Sequence, residues 1–233
     1  MFTKTAVIVL TSVTAVGAAS NVDIRLGLTQ FYREEYYDGY DWYYDYELKN
    51  ELGYAGEIRY EFSFPNWAVG FNLRALAFPG SERSFAWYAD ITFPFYFTDA
   101  PIRVYGAPGL GYDHTEKSLA RRAKPTERAK HDFFRFPLAF GVKAISGSKY
   151  LDVRYRLTPE VPLGKTVDRY YDEARDFYLE QSIDGEFGWA FAKHFGITTK
   201  AGVIRGNRAT TVNTGDDAPP YVPFVEVGPS IYF

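Results

Sequence analysis

Two dipeptides, Asp113-His114 and His131-Asp132, are the only places in this 233-residue chain where a carboxylate adjoins an imidazole. A carboxylate that orients a histidine makes a general base, so acid–base chemistry is weighed here first. The spacing works against it. Neighbouring residues on a strand point to opposite faces, so each aspartate is turned away from its own histidine. Parity sends Asp113 and His131 inward, and His114 and Asp132 outward. A hydrolase would also need a nucleophile beside the base. The serine nearest His114 is Ser118, inside a basic segment, and His194 falls in a short turn. The chain has no cysteine, which excludes thiolate chemistry, disulfides and cysteine-based zinc sites. No histidine and carboxylate spacing suits a metal ion. These residues predict no catalytic, cofactor or metal site, and a non-enzymatic protein.

The elements that would carry such residues are strands. Aromatics make up 19% of the chain, with 20 Phe and 20 Tyr, types that favour strands. Period-2 alternation dominates. Leu52, Tyr54, Ile58, Tyr60, Phe62 and Phe64 share one face, while Glu57, Arg59 and Glu61 share the other. Trp67, Val69, Phe71 and Leu73 oppose Ala68, Gly70, Asn72 and Arg74 in the next segment. The rhythm recurs to Val225, Val227, Ile231 and Phe233, with 195–206 the weakest case. Pro65-Asn66, Thr98 to Pro101, Gly147 to Lys149 and Ala192 to His194 read as short turns. They alternate with polar loops at 33–50, 79–83, 114–131, 158–175 and 207–220. Ten strands fit five connections on one side and four on the other.

Lys4, the uncharged stretch Thr5 to Val16 and the small residues Gly17 to Ser20 have the layout of a secretory signal peptide. The expected division is a signal peptide at 1–20, cut after Ala18, Ala19 or Ser20, and one domain at 21–233. A net charge of −3 gives no case for nucleic-acid binding.

Large aromatics at the ends of the apolar faces, such as Trp67, Phe95 and Phe97, suit interfacial girdles, and the turn–loop asymmetry suits a membrane barrel. With its signal peptide, its alternation and a final Phe233, the sequence resembles bacterial outer-membrane β-barrels. The resemblance implies an all-β, single antiparallel up-and-down transmembrane barrel of about ten strands, with eight and twelve as alternatives. It implies the outer membrane of a Gram-negative bacterium, and Phe233 as the signal read by the barrel-assembly machinery. The omptin proteases are ten-stranded barrels too, but their Asp-x-Asp and Asp-x-His pairs have no counterpart in the adjacent Asp113-His114 and His131-Asp132.

Parity then fills the lumen with charge. The inward acids are Asp23, Glu57, Glu61, Asp90, Asp113, Asp152, Glu180, Asp184, Glu186 and Glu226. The inward bases are Arg25, Arg59, Arg74, Arg103, Arg135, Lys143, Arg154, Arg156 and Lys200. Buried charge must be paired, so this near balance predicts a salt-bridged plug in a narrow barrel. The Arg154/Arg156 pair is expected to face Glu180 and Asp184, with Glu186 too low to reach either arginine.

Outside the membrane two loops stand out. The first carries Tyr36, Tyr37, Tyr40, Trp42, Tyr43, Tyr44 and Tyr46 interleaved with Asp38, Asp41 and Asp45. Such rings serve equally as a binding surface for an extracellular ligand or as strand and girdle. The third carries Arg121, Arg122, Lys124 and Arg128, suited to lipopolysaccharide phosphates in the outer leaflet. The function expected is a surface barrel that binds or shields through loops 33–50 and 114–131. A narrow porin-like channel is the alternative, and a rim hydrolase acting on lipid or peptide the third reading.

Overall fold

A computed structural model of the chain describes residues 19–36, 46–78, 84–99, 101–118, 128–163, 178–205 and 221–233. Every regular element among them is a strand. The first three are β1 (Ala19–Tyr36), β2 (Tyr46–Ser63) and β3 (Ala68–Phe78). Next, β4 comprises Ser84–Thr92 and Phe95–Tyr96, two pieces parted by Phe93-Pro94. It is followed by β5 (Ile102–Ser118) and by β6, whose pieces Arg128–Arg135 and Leu138–Ser146 flank Phe136-Pro137. The rest are β7 (Lys149–Pro162), β8 (Tyr178–Ala190), β9 (Phe195–Arg205) and β10 (Val222–Tyr232).

Neither break shifts the register. Thr92 faces Gly109 and Phe95 faces Gly106, while Arg135 faces Gly111 and Leu138 faces Pro108. Each broken strand is therefore one strand with a proline in it, and the count is ten. Every neighbour in sequence pairs antiparallel, and β10 pairs back onto β1 through Asn21 to Tyr232 and Leu26 to Val227. A closed cylinder leaves no sheet edge, the condition for backbone to cross lipid.

Four of the prolines in the wall form a pattern. Pro94, Pro108, Pro137 and Pro159 lie on β4, β5, β6 and β7. Phe93 N donates to Pro108 O, and Phe136 N to Pro159 O, so these four residues step across adjacent strands in one slanting line. Proline has no N–H, and each one removes a donor from the ladder.

The short turns sit at the end shared by the start of β1 and the end of β10. Gly147-Ser148 joins Ser146 to its partner Lys149, with Gly147 at φ 57, the left-handed conformation that tight hairpins require. Aromatics ring this end: Phe64 stacks on Trp67 with centroids 4.1 Å apart, and Trp189 meets Phe191 edge-on. Phe233 is exposed beside them, its N–H donating to Ser20 O.

At the other end strands run further than their composition suggests. Where loops were expected at 33–50, 114–131 and 158–175, β1 continues to Tyr36, β2 starts at Tyr46, β5 reaches Ser118, β6 starts at Arg128 and β7 reaches Pro162. Tyr36 is the register partner of Tyr46, and Ser118 of Arg128. Tyr37, Tyr40, Trp42, Tyr43, Tyr44, Arg121, Arg122 and Lys124 lie outside the described residues, as does nearly all of the expected signal peptide. The 18 residues of β1 rise about 60 Å, or about 46 Å at a tilt near 40°, against an apolar band of about 25 Å. The β1–β2 hairpin therefore stands well above the outer face of the bilayer.

Candidate functional site

The lumen takes its side chains from every second residue of each strand, and the fully buried large residues are headed by Arg25, Arg74 and Arg135. Glu186, on β8, is the hub of the lower half. Arg59 and Arg154 approach it at 2.9 and 2.8 Å, Arg25 at 2.9 Å, and Tyr150 Oη donates to it at 2.6 Å. From this hub the web spreads outward. Arg25 pairs with Glu57, which Lys200 also holds at 2.8 Å. Arg59 pairs with Glu61, which Lys143 approaches at 3.6 Å. Arg154 pairs with Asp184 and lies 3.6 Å from Asp152. Asp23 accepts from Ser230 and Asn21 at the turn end.

Glu186 thus reaches Arg154, contrary to expectation. The register places Asp152 opposite Glu186 and Arg154 opposite Asp184, so arginine and glutamate are offset by one step of the inward row. Two long side chains in a narrow cylinder span that step. Arg156 forms no ion pair within 4.0 Å among the described residues, and its Nε has no hydrogen-bond partner. Arg103 lies over the Tyr96 ring at 4.9 Å instead of on a carboxylate.

A second web occupies the upper half. Arg135 is held by Glu180 at 2.9 Å, Glu160 at 3.0 Å and Asp90 at 3.7 Å, and covers the Tyr88 ring at 4.0 Å. Arg74 pairs with Glu226, bonds Tyr88 Oη at 3.2 Å and packs over Phe224. Asp113 accepts from Thr115 at 2.9 Å. Glu160 falls in the segment 158–175 that reads as loop in the sequence, although Asp152, Arg154, Arg156, Thr158 and Glu160 keep one parity.

Tyrosines complete the plug over glycines. The Tyr105 ring lies across Gly141, and the Tyr150 ring across Gly188, so close that a Cβ would meet ring carbon at 2.4 and 2.1 Å. This places Tyr105 Oη 2.9 Å from Asp152 and Tyr150 Oη on Glu186. Gly188→Ala should push Tyr150 off its glycine and break that bond. A loss of about 1–3 kcal/mol is expected in urea unfolding from lipid vesicles, and a change within error would sink the pairing.

Among the described residues a chamber of 40 Å³ lies between the webs, lined by Asn72, Asp90, Tyr105, Lys143, Arg154 and Arg156 among others. That is room for about three waters.

The outside is the inverse of this interior. Leu26 is 70% exposed, Leu110 58%, Phe140 59% and Ile183 52%, on strands whose alternate residues are buried charges. A water-soluble fold does not expose an unbroken apolar wall and bury its ions. The chain is a transmembrane β-barrel of the outer-membrane type. Its place is the outer membrane of a Gram-negative cell, with the short turns on the periplasmic side.

No family model matches the barrel's sequence, and no curated protein matches it. Solved structures of similar shape include Neisserial surface protein A, at 7% identity, 93% coverage of this chain, 99% of that one and a TM-score of 0.45. The translocator domain of autotransporter NalP from Neisseria meningitidis gives 12%, 99%, 94% and 0.46. Ail, the attachment invasion locus protein of Yersinia pestis, gives 13%, 92%, 99% and 0.38.

On the outer wall, facing lipid, is a cluster that sequence parity placed only in part. His114 Nδ1 lies 2.7 Å from Asp132 Oδ1, across the β5–β6 ladder where the two are register partners. Tyr112 Oη donates to the same oxygen. The Trp87 ring is 5.3 Å from Tyr112 and 6.0 Å from His114. Parity gives the outward side of His114 and Asp132; their contact requires the register. His114 is turned from its sequence neighbour Asp113 and pairs between strands with Asp132 instead.

Proposed function

We propose that this barrel is a closed, non-enzymatic surface protein that works through its outer loops, with the lumen as a structural plug. The observation that carries the reading is the web centred on Glu186. Three arginines converge on one carboxylate across the bore, and the chamber beside them holds 40 Å³. A solute path needs a continuous aqueous bore, as in barrels of many more strands.

The working surface is the aromatic and acidic tip of β1–β2 together with the basic segment between β5 and β6. Arg121, Arg122, Lys124 and Arg128 would hold lipopolysaccharide phosphates, and Phe233 would be read during assembly. Purified protein in planar bilayers is expected to stay silent, and steady wild-type conductance would establish the channel reading instead. Neutralising the four basic residues should weaken attachment to lipopolysaccharide vesicles at low salt, with the difference fading as salt rises. An unchanged affinity removes the basic segment from the surface. Deleting Asp38 to Asp45 should leave a heat-modifiable barrel, since the β1–β2 ladder ends at Tyr36 opposite Tyr46. Loss of folding would return that segment to strand and girdle.

A further inference from the structure

The wall of β2 to β6 carries a trough of 790 Å³ on its lipid side. It is almost wholly apolar, lined by Tyr60, Phe71, Leu73, Ile91, Leu110 and Phe134, with Ala89 and Gly111 at its floor. The register explains the hollow. Ala89 lies between Leu73 and Tyr112 in one outward row, a methyl group between two large side chains. The next outward row toward the outside reads Gly56, Ala75, Trp87, His114, Asp132. Tyr112 belongs to both features, since its ring lines the trough and its hydroxyl bonds Asp132.

Height places this junction at the outer interface. His114 is ten residues along β5 from Val104, whose carbonyl accepts from Phe97 N in the periplasmic girdle. Ten residues rise about 33 Å, or about 25 Å at a tilt near 40°, the full apolar band of about 25 Å. The trough therefore lies at acyl depth in the outer leaflet, and the His114–Asp132 pair at headgroup depth.

We propose that this is a binding site for one glycolipid molecule of the outer leaflet, an acylated sugar. One acyl chain would lie over Ala89, with its sugar against Trp87, Tyr112, His114 and Asp132. An amphiphile matches a trough with one polar end, and the volume falls in the range of small-molecule sites. The head end holds a carboxylate and an imidazole, which accept from and donate to hydroxyls. Asp132, with its side chain 40% exposed, repels a bare phosphate brought against it. The site needs only the membrane location and is independent of the lumen being closed.

The test uses full-length protein in detergent with lipid A stripped of its phosphates, an acylated glucosamine disaccharide, as probe, so that the basic segment between β5 and β6 has no phosphate to hold. Native mass spectrometry should show one lipid A retained per barrel, with phosphatidylethanolamine retained at least tenfold less. Ala89→Trp fills the trough with a lipid-compatible side chain and should lower lipid A retention at least tenfold. Asp132→Asn with His114→Ala alters only the head end and should lower it severalfold, which keeps the test alive if Ala89→Trp fails to fold. Heat-modifiable mobility checks folding in each case. Equal retention of phosphatidylethanolamine, no retention of lipid A, or folded variants that bind as wild type would each overturn the site.

Discussion

Glu186→Gln is expected to be the most destabilising conservative change in the barrel, by about 3–5 kcal/mol. Size and shape are kept, but the charge on which Arg25, Arg59 and Arg154 converge is lost. Arg25 keeps Glu57 and Arg154 keeps Asp184, so the penalty is that of excess positive charge in a space with little water. Arg59 retains Glu61, which it shares with Lys143. Urea unfolding from lipid vesicles, followed by tryptophan emission, measures the loss. A value below about 1 kcal/mol would mean that the bore is wet enough to screen three guanidinium groups, and the plug reading would fall with it.

Phe71→Arg should cost about 2–4 kcal/mol, and Asn72→Arg clearly less. Phe71 is 43% exposed on the lipid wall, so an arginine there enters hydrocarbon. Asn72 borders the chamber opposite Asp90, whose two carboxylate oxygens have no hydrogen-bond partner, so a new guanidinium meets an acceptor. Folding of the two variants in vesicles of matched thickness decides between them. The reverse order of losses would put the register of β3 off by one.

Parity made most of the fold legible, because within the bilayer one face of each strand must be apolar and the other is not. The signal fails where the membrane ends. Beyond it polar residues fill both parities of the sequence in β1, β2 and β5, so polar strand reads as loop, and in β7 Pro159 and Pro162 disguise Thr158 and Glu160, which stay buried in the lumen. Tyr36, Ser118 and Glu160 therefore read as loop in the sequence and lie in strands. Inward and outward sides also say nothing of partners across the bore. Arg25 and Glu186 are 161 residues apart and meet only because β10 closes onto β1. The Gly141 and Gly188 positions become intelligible only when the tyrosine opposite is known.

The slanting line of Pro94, Pro108, Pro137 and Pro159 thins the ladder on one side of the cylinder, and Pro223 and Pro229 on β10 thin it again beside β1. The β1–β2 ladder is uninterrupted from Ala19 opposite Ser63 to Tyr36 opposite Tyr46, and acts as a rigid spar. Across β4 to β7 four rungs are missing along one diagonal, and a sheet bends where its cross-links are fewest. Phe136, which borders the lipid-side trough, precedes Pro137 on the same line. The proline line therefore runs along the edge of the trough, where the ladder behind its wall is thinnest.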